Sequence, residues 1–145
     1  MYFVDREKIE QMLKYLEDTL AIFEKQKGWT SDVEKKALER MVQMVIEAIL
    51  DVGNAMIDGF IMRDPGSFED IIDILQDEQV IAEHDAIALK EVIMHRKQLV
   101  QHYLQINHDE LLHTVKKQMA ALKRFPEQIR FYLENELGPV SAFRK

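Results

Sequence analysis

The stretch LERMVQMVIEAILDVGNAMIDGF, residues 38–60, decides the fold. Leu38, Met41, Val42, Val45, Ile49, Val52, Met56 and Phe60 recur at helical spacing and form a wide apolar face. A helix this apolar does not stand alone in water. It belongs at the centre of a bundle or of a dimer. A membrane span is disfavoured, because Glu47, Asp51 and Asp58 interrupt the run and such charges are costly in a bilayer. With Asn54, these acids make one polar seam along the helix. The seam reads as a solvent face, as a divalent-metal site, or as the partner of a buried cation; Glu47 and Asp51 are the acids placed to orient an arginine.

Working outward, Ser31 and Glu34 form a capping box that starts this helix, which runs to about Gly59. Upstream, a helix is predicted from about Asp5 to Lys27, with Ile9, Met12, Leu13, Leu16, Leu20 and Phe23 on one stripe. Gly28-Trp29-Thr30 ends it. Downstream, Arg63-Asp64-Pro65-Gly66 is a turn signal, and Ser67 with Asp70 opens a short helix to about Gln76. Asp77-Glu78-Gln79 breaks the chain before a helix over about Glu83 to Leu104. Asn107 with Glu110 caps a final helix, which Pro126 is predicted to kink and Gly138-Pro139 to stop. Trp29, Phe68 and the methionines read as packing. The expectation is one domain over residues 1–145, all-α, an antiparallel bundle of about five helices.

Cysteine is absent, which excludes disulfides, thiolate metal sites and a cysteine nucleophile, and suits a reducing cytosol. The N-terminal MYFVDREKIEQ carries charges where a secretory signal needs an apolar core. A soluble cytoplasmic protein, not bound to a membrane, is expected. A net charge of -7 argues against a general nucleic-acid coat, but the charge is uneven. Residues 1–94 hold 21 acids against 10 Lys/Arg, leaving -11; residues 95–145 hold 5 against 9, leaving +4. Lys116, Lys117, Lys123 and Arg124 either extend an RNA track or form a solvated face.

The segment HRKQLVQHY, residues 95–103, concentrates chemistry. Arg96, Leu99, Val100 and Tyr103 share a helical face, with Leu99 and Val100 expected against the core. His95 and His102 share a neighbouring stripe. Arginine grips phosphate in bidentate fashion, and histidine moves protons near neutral pH. A metal-independent ribonuclease could use such a set; equally, Arg96 could pair with a carboxylate and His102 be solvated. No cofactor or metal is implied. Glu110 and His113 form a single Glu-x-x-His, where a di-iron bundle needs two. No glycine-rich phosphate loop or nucleophile elbow occurs.

ALERMVQMVIEAILDVGNAMI (37–57), DPGSFEDIIDILQDEQVI (64–81) and HRKQLVQHY (95–103) together resemble the HepT-like family of the HEPN superfamily. The resemblance covers nearly the whole chain and, as in a cytosolic branch of that family, extends to ELGPVSAF (136–143). It implies a homodimer whose motif helices meet at a shared cleft. It also implies RNA cleavage of the toxin–antitoxin kind, and a nucleotidyltransferase antitoxin partner that attaches AMP to the motif tyrosine. Against the family's Arg-Asn-x-Leu-Val-His-x-Tyr motif, Arg96, Leu99, Val100 and Tyr103 match. Lys97 replaces the asparagine, Gln101 replaces the histidine, and His102 stands one position late. The resemblance thus implies Arg96, His102 and Tyr103 as catalytic residues, Tyr103 as the modified one, and Lys97 and Gln101 as RNA contacts. One residue turns a helical side chain by about 100°. His102 therefore reaches the arginine's cleft only if the helix ends or distorts there. The alternative is a non-catalytic dimeric module that binds RNA or a nucleotidyltransferase.

Overall fold

The computed structural model describes residues 2–138. Pro139 and the rest of the C-terminal resemblance, residues 139–143, lie outside the described residues. Among the described residues there are seven α-helices and no strand: α1 (Arg6–Lys25), α2 (Asp32–Gly59), α3 (Phe68–Asp77), α4 (Glu83–Ile93), α5 (Arg96–Gln101), α6 (His108–Lys117) and α7 (Met119–Leu137), with a 3-10 turn at Tyr103–Gln105.

The capping signals work as their chemistry requires. Ser31 accepts from Glu34 N–H while the Glu34 carboxylate accepts from Ser31 N–H, a complete capping box at α2. Ser67 caps α3 and Asn107 caps α6, each accepting from the backbone N–H three residues on. Helices α2 and α3 end in Schellman turns: Met62 N–H bonds Ile57 O, and Val80 N–H bonds Leu75 O. Ile61 and Gln79 take the left-handed position there, at φ 57° and 61°, where glycine is usual. The left-handed position itself therefore carries no glycine to mark it in the sequence.

Helix α2 is buried on most of its circumference. Leu38, Val42, Val45, Ile49, Val52 and Met56 are buried as their spacing predicts, and so are Ile46, Leu50 and Ile57. Helices α1, α3, α5 and α6 all pack on it. Its apolar face is therefore covered within a single chain. Gly53 lets α3 approach closely, since a Cβ there would collide with the Ile71 side chain.

The expected count of five helices is too low, because two long helices are broken. The helix expected over residues 83–104 bends at Met94–His95, where His95 N–H takes a tight bond to Val92 O, and ends at Gln101. The final helix breaks at Gln118, whose side chain donates to Glu91 at 2.7 Å. Pro126, expected to kink the final helix, lies inside α7, which runs through it to Leu137.

Across α4 and α7 lies a polar anchor without an obvious sequence signal. The Asp85 side chain, 2 % exposed, accepts from Arg124 at 2.6 Å and from Gln128 at 2.7 Å. Burial pushes the Asp85 carboxyl up, but these hydrogen bonds more than offset it, holding its pKa below the ordinary carboxylate value. Its contribution to stability is therefore present above the unfolded aspartate pKa and is lost as pH falls toward the lower folded value.

Two substitutions test these contacts. Gly53→Ala should lose about 1–2 kcal/mol in urea unfolding despite its better helix propensity, because the added methyl overpacks against Ile71. A stabilised variant would show that α3 shifts without cost. Asp85→Asn should lose about 2 kcal/mol at pH 7, less than a fully buried pair because Arg124 is partly solvated. The deficit should shrink as pH falls below the ordinary aspartate pKa, where the unfolded chain takes up a proton before the folded one does.

Candidate functional site

The bend at Met94–His95 and the end of α5 at Gln101 isolate a six-residue helix that carries Arg96. Leu99 is buried and holds α5 on the core, whereas Val100 is 38 % exposed, contrary to its expected core role. A helix this short, buried chiefly through one leucine, turns its other sides to solvent.

Arg96 Nε donates to Glu47 Oε1 at 2.6 Å, so α5 is tied to the polar seam of α2. The Arg96 Cζ also lies 4.3 Å from the centre of the Phe68 ring, a cation–π distance. The arginine side chain keeps 24 % of its exposure, and its Nη groups have no hydrogen-bond partner among the described residues. Phe68, read from the sequence as packing, is 49 % exposed. Nothing in its spacing signalled contact with Arg96.

Asp51 does not share the role of Glu47. It is exposed and makes no ion pair with Arg96 among the described residues. Partial desolvation, then the Glu47 charge, raise its pKa, and Lys8 opposes them. One helical turn separates the two acids, and only Glu47 sits over α5.

The two histidines expected on one stripe part company. His95 turns inward and its Nε2 lies 2.9 Å from Thr114 Oγ. The Thr114 hydroxyl donates to Glu110 O at 3.1 Å, so His95 Nε2 carries the proton and donates to threonine. Burial lowers the His95 pKa, against the opposing charges of Glu110 and Glu91. His95 is a structural pin between α5 and α6.

His102 lies beyond the last helical residue. Its backbone, φ -118° and ψ 41°, has left the helix, and its side chain is exposed. The distortion that a late histidine needs is therefore present at His102. Tyr103 begins the 3-10 turn and is 63 % exposed. Gln98 Nε2 closes this turn by donating to Gln105 O at 3.1 Å. Lys97 and Gln101 are both exposed. No hydrogen bond joins Arg96 to His102 or Tyr103 among the described residues.

The basic second half does not form a continuous cationic track. Lys117 pairs with Glu91, Lys123 with Glu24, Arg124 with Asp85, and Arg130 with Glu10 and Glu17. Among the described residues no three His, Asp or Glu side chains come together as a metal site. No described helix is long and apolar enough to cross a membrane.

Comparison with known proteins gives the same architecture. A family model described as ribonuclease HepT-like matches residues 6–129. The Bacillus subtilis (strain 168) protein YutE, whose name suggests an RNase, is 54 % identical over 144 residues, covering 99 % of this chain and 100 % of YutE. The solved structure of YutE, described as a cytosolic protein of unknown function, superposes with a TM-score of 0.95 at 55 % identity, over 99 % of this chain and 100 % of that one. A tri-AMPylated HEPN toxin of Shewanella oneidensis, solved with its MNT antitoxin, superposes with a TM-score of 0.75 at 17 % identity. That match covers 85 % of this chain and 96 % of the toxin, and at this identity shows a shared fold.

The pinned histidine makes a pH-dependent prediction. An unfolded histidine takes up its proton near pH 6.5, before folded His95 does, so acidification favours the unfolded chain. Urea midpoints of wild type and His95→Gln should be furthest apart at pH 7 and converge as pH falls to 5. A constant gap would show that His95 is not held neutral by burial.

Proposed function

This chain belongs to the HepT-like ribonuclease family, and on that premise we propose that it is a metal-independent endoribonuclease of the toxin–antitoxin kind. Arg96 binds the scissile phosphodiester through its Nη groups. His102 accepts the proton of the ribose 2′-hydroxyl, and O2′ attacks phosphorus. The P–O5′ bond breaks, and the leaving 5′-oxygen takes a proton from solvent. The products are a 2′,3′-cyclic phosphate and a 5′-hydroxyl. Arg96 offsets the charge that grows on the phosphoryl oxygens. Lys97 and Gln101 contact the RNA backbone and bases.

The observation that carries this reading is the end of α5 at Gln101. Had the helix continued, His102 would be turned about 100° from the family's histidine position. Its non-helical backbone supports a different orientation for its side chain. A cleft shared by two chains completes the site, with exposed Val100, Tyr103 and Leu104 as the apolar surface available for pairing. Tyr103, exposed at the helix end, is also the hydroxyl to which a nucleotidyltransferase antitoxin would attach AMP. The cytosolic description of YutE supports a cytoplasmic setting.

A second reading rests on Gln101, which stands in the family's histidine position and cannot act as a base at pH 7. In that reading the same cleft binds RNA or a nucleotidyltransferase without cutting.

Cleavage of total tRNA in EDTA separates the two. Wild type should cut, and Arg96→Ala and His102→Ala should each lose about a hundredfold or more in rate. Silence in wild type with activity gained in Gln101→His would establish a cleft that lacks its base. Silence in wild type and all three variants would overturn the nuclease reading in favour of a binding module.

A further inference from the structure

We propose that Phe68 is a positioning residue for Arg96, making the first turn of α3 part of the phosphate-binding site. This rests on the reading of Arg96 as the phosphate grip.

The guanidinium is held on two sides. Glu47 takes its Nε edge at 2.6 Å, and the Phe68 ring lies against Cζ at 4.3 Å. An edge and a face so occupied leave the two Nη groups at the tip. That tip suits two parallel hydrogen bonds to phosphate oxygens. Glu47 alone fixes one bond direction and leaves the guanidinium plane free to turn about it. The ring removes that freedom, because a cation prefers the face of an aromatic.

Core packing does not account for this ring. Phe68 is the first residue of α3 and about half of it is exposed, while Ile71, Ile72, Ile74 and Leu75 hold α3 on the core. The turn that carries it is rigid. Arg63 grips Asp70 with two bonds of 2.7 and 2.9 Å, Gly66 N–H adds a third at 2.8 Å, and Ser67 caps Asp70 N–H at 3.0 Å. The Arg63 hydrogen bond, with that from Gly66, lowers the Asp70 pKa to about 2, so this knot persists across the range in which RNA is handled. Close α2–α3 approach at Gly53 fixes the same helix from its other side. The ring is therefore presented to Arg96 from a platform braced at two points.

The test compares Phe68→Leu, which keeps an apolar side chain without an aromatic face, with Phe68→Tyr, which keeps the face. In 15N-labelled protein, the Arg96 Nε–Hε signal is identified by its absence in Arg96→Lys. Phe68→Leu should speed exchange of this proton with water about tenfold and lower guanidinium order, with Phe68→Tyr like wild type. On total tRNA, Phe68→Leu should lose about tenfold in kcat/KM, since a misplaced binding group costs rate steeply, and Phe68→Tyr should restore it. Unchanged exchange and order in Phe68→Leu overturns the proposal. So does failure of Phe68→Tyr to restore them, which would mean that only shape matters. If Arg96→Ala leaves RNA handling unchanged, the nuclease reading fails instead, and the Arg96 signal still decides whether Phe68 positions it.

Discussion

Burial of α2 on most of its circumference is the constraint that organises this molecule. A helix surrounded by α1, α3, α5 and α6 has room for polar groups only along a narrow seam. Glu47 lies in that seam, half-buried, where an unpaired carboxylate would be costly. Arg96 answers it. The short helix α5 is thus fastened to the core twice, by Leu99 in the apolar contact and by Arg96 in the polar one. The arginine proposed to grip phosphate is also a structural partner of the central helix.

Charge distribution follows a related logic. The acidic first two thirds and the basic remainder do not form separate surfaces, because the fold lays one against the other. Of the seven described Lys and Arg residues after position 94, five close ion pairs with acids of the first part. Lys97, beside Arg96 on α5, makes none among the described residues. Along α6 and α7 the charges of Lys117, Lys123, Arg124 and Arg130 are neutralised, and that of Lys116, like that of Lys97, is unpaired among the described residues.

Much of the scaffold was legible because its signals are local. The capping serines at 31 and 67 and the asparagine at 107 act over three residues, and the apolar stripes of α1 and α2 need only helical periodicity. The misread features depend on distant partners. The bend before Arg96 goes with a histidine ring anchored to Thr114, and the break at Gln118 with a side chain held by Glu91; neither has a proline or glycine to mark it. Asp85 stands in the first turn of α4 with no local signal to mark it, yet Arg124 and Gln128 make it the buried anchor of α4 on α7. In the site, Arg96 could be paired by charge with Glu47 or Asp51, without a choice between them. Phe68 could not, because an aromatic residue at a helix start carries no sign of what lies over its ring.

The sequence by itself determined the helical class, the caps, the central place of α2 and the segment that carries Arg96, His102 and Tyr103. Each follows from periodicity, from short-range hydrogen bonding or from a run of residues read in order. Tertiary structure alone decided that α5 ends before His102, that Asp51 stands aside while Glu47 holds the arginine, and that the Phe68 ring lies against it. These outcomes turn on which surfaces meet when helices far apart in the chain pack together. A change of one residue in where a helix stops moves a side chain to another face, and no local rule records that choice.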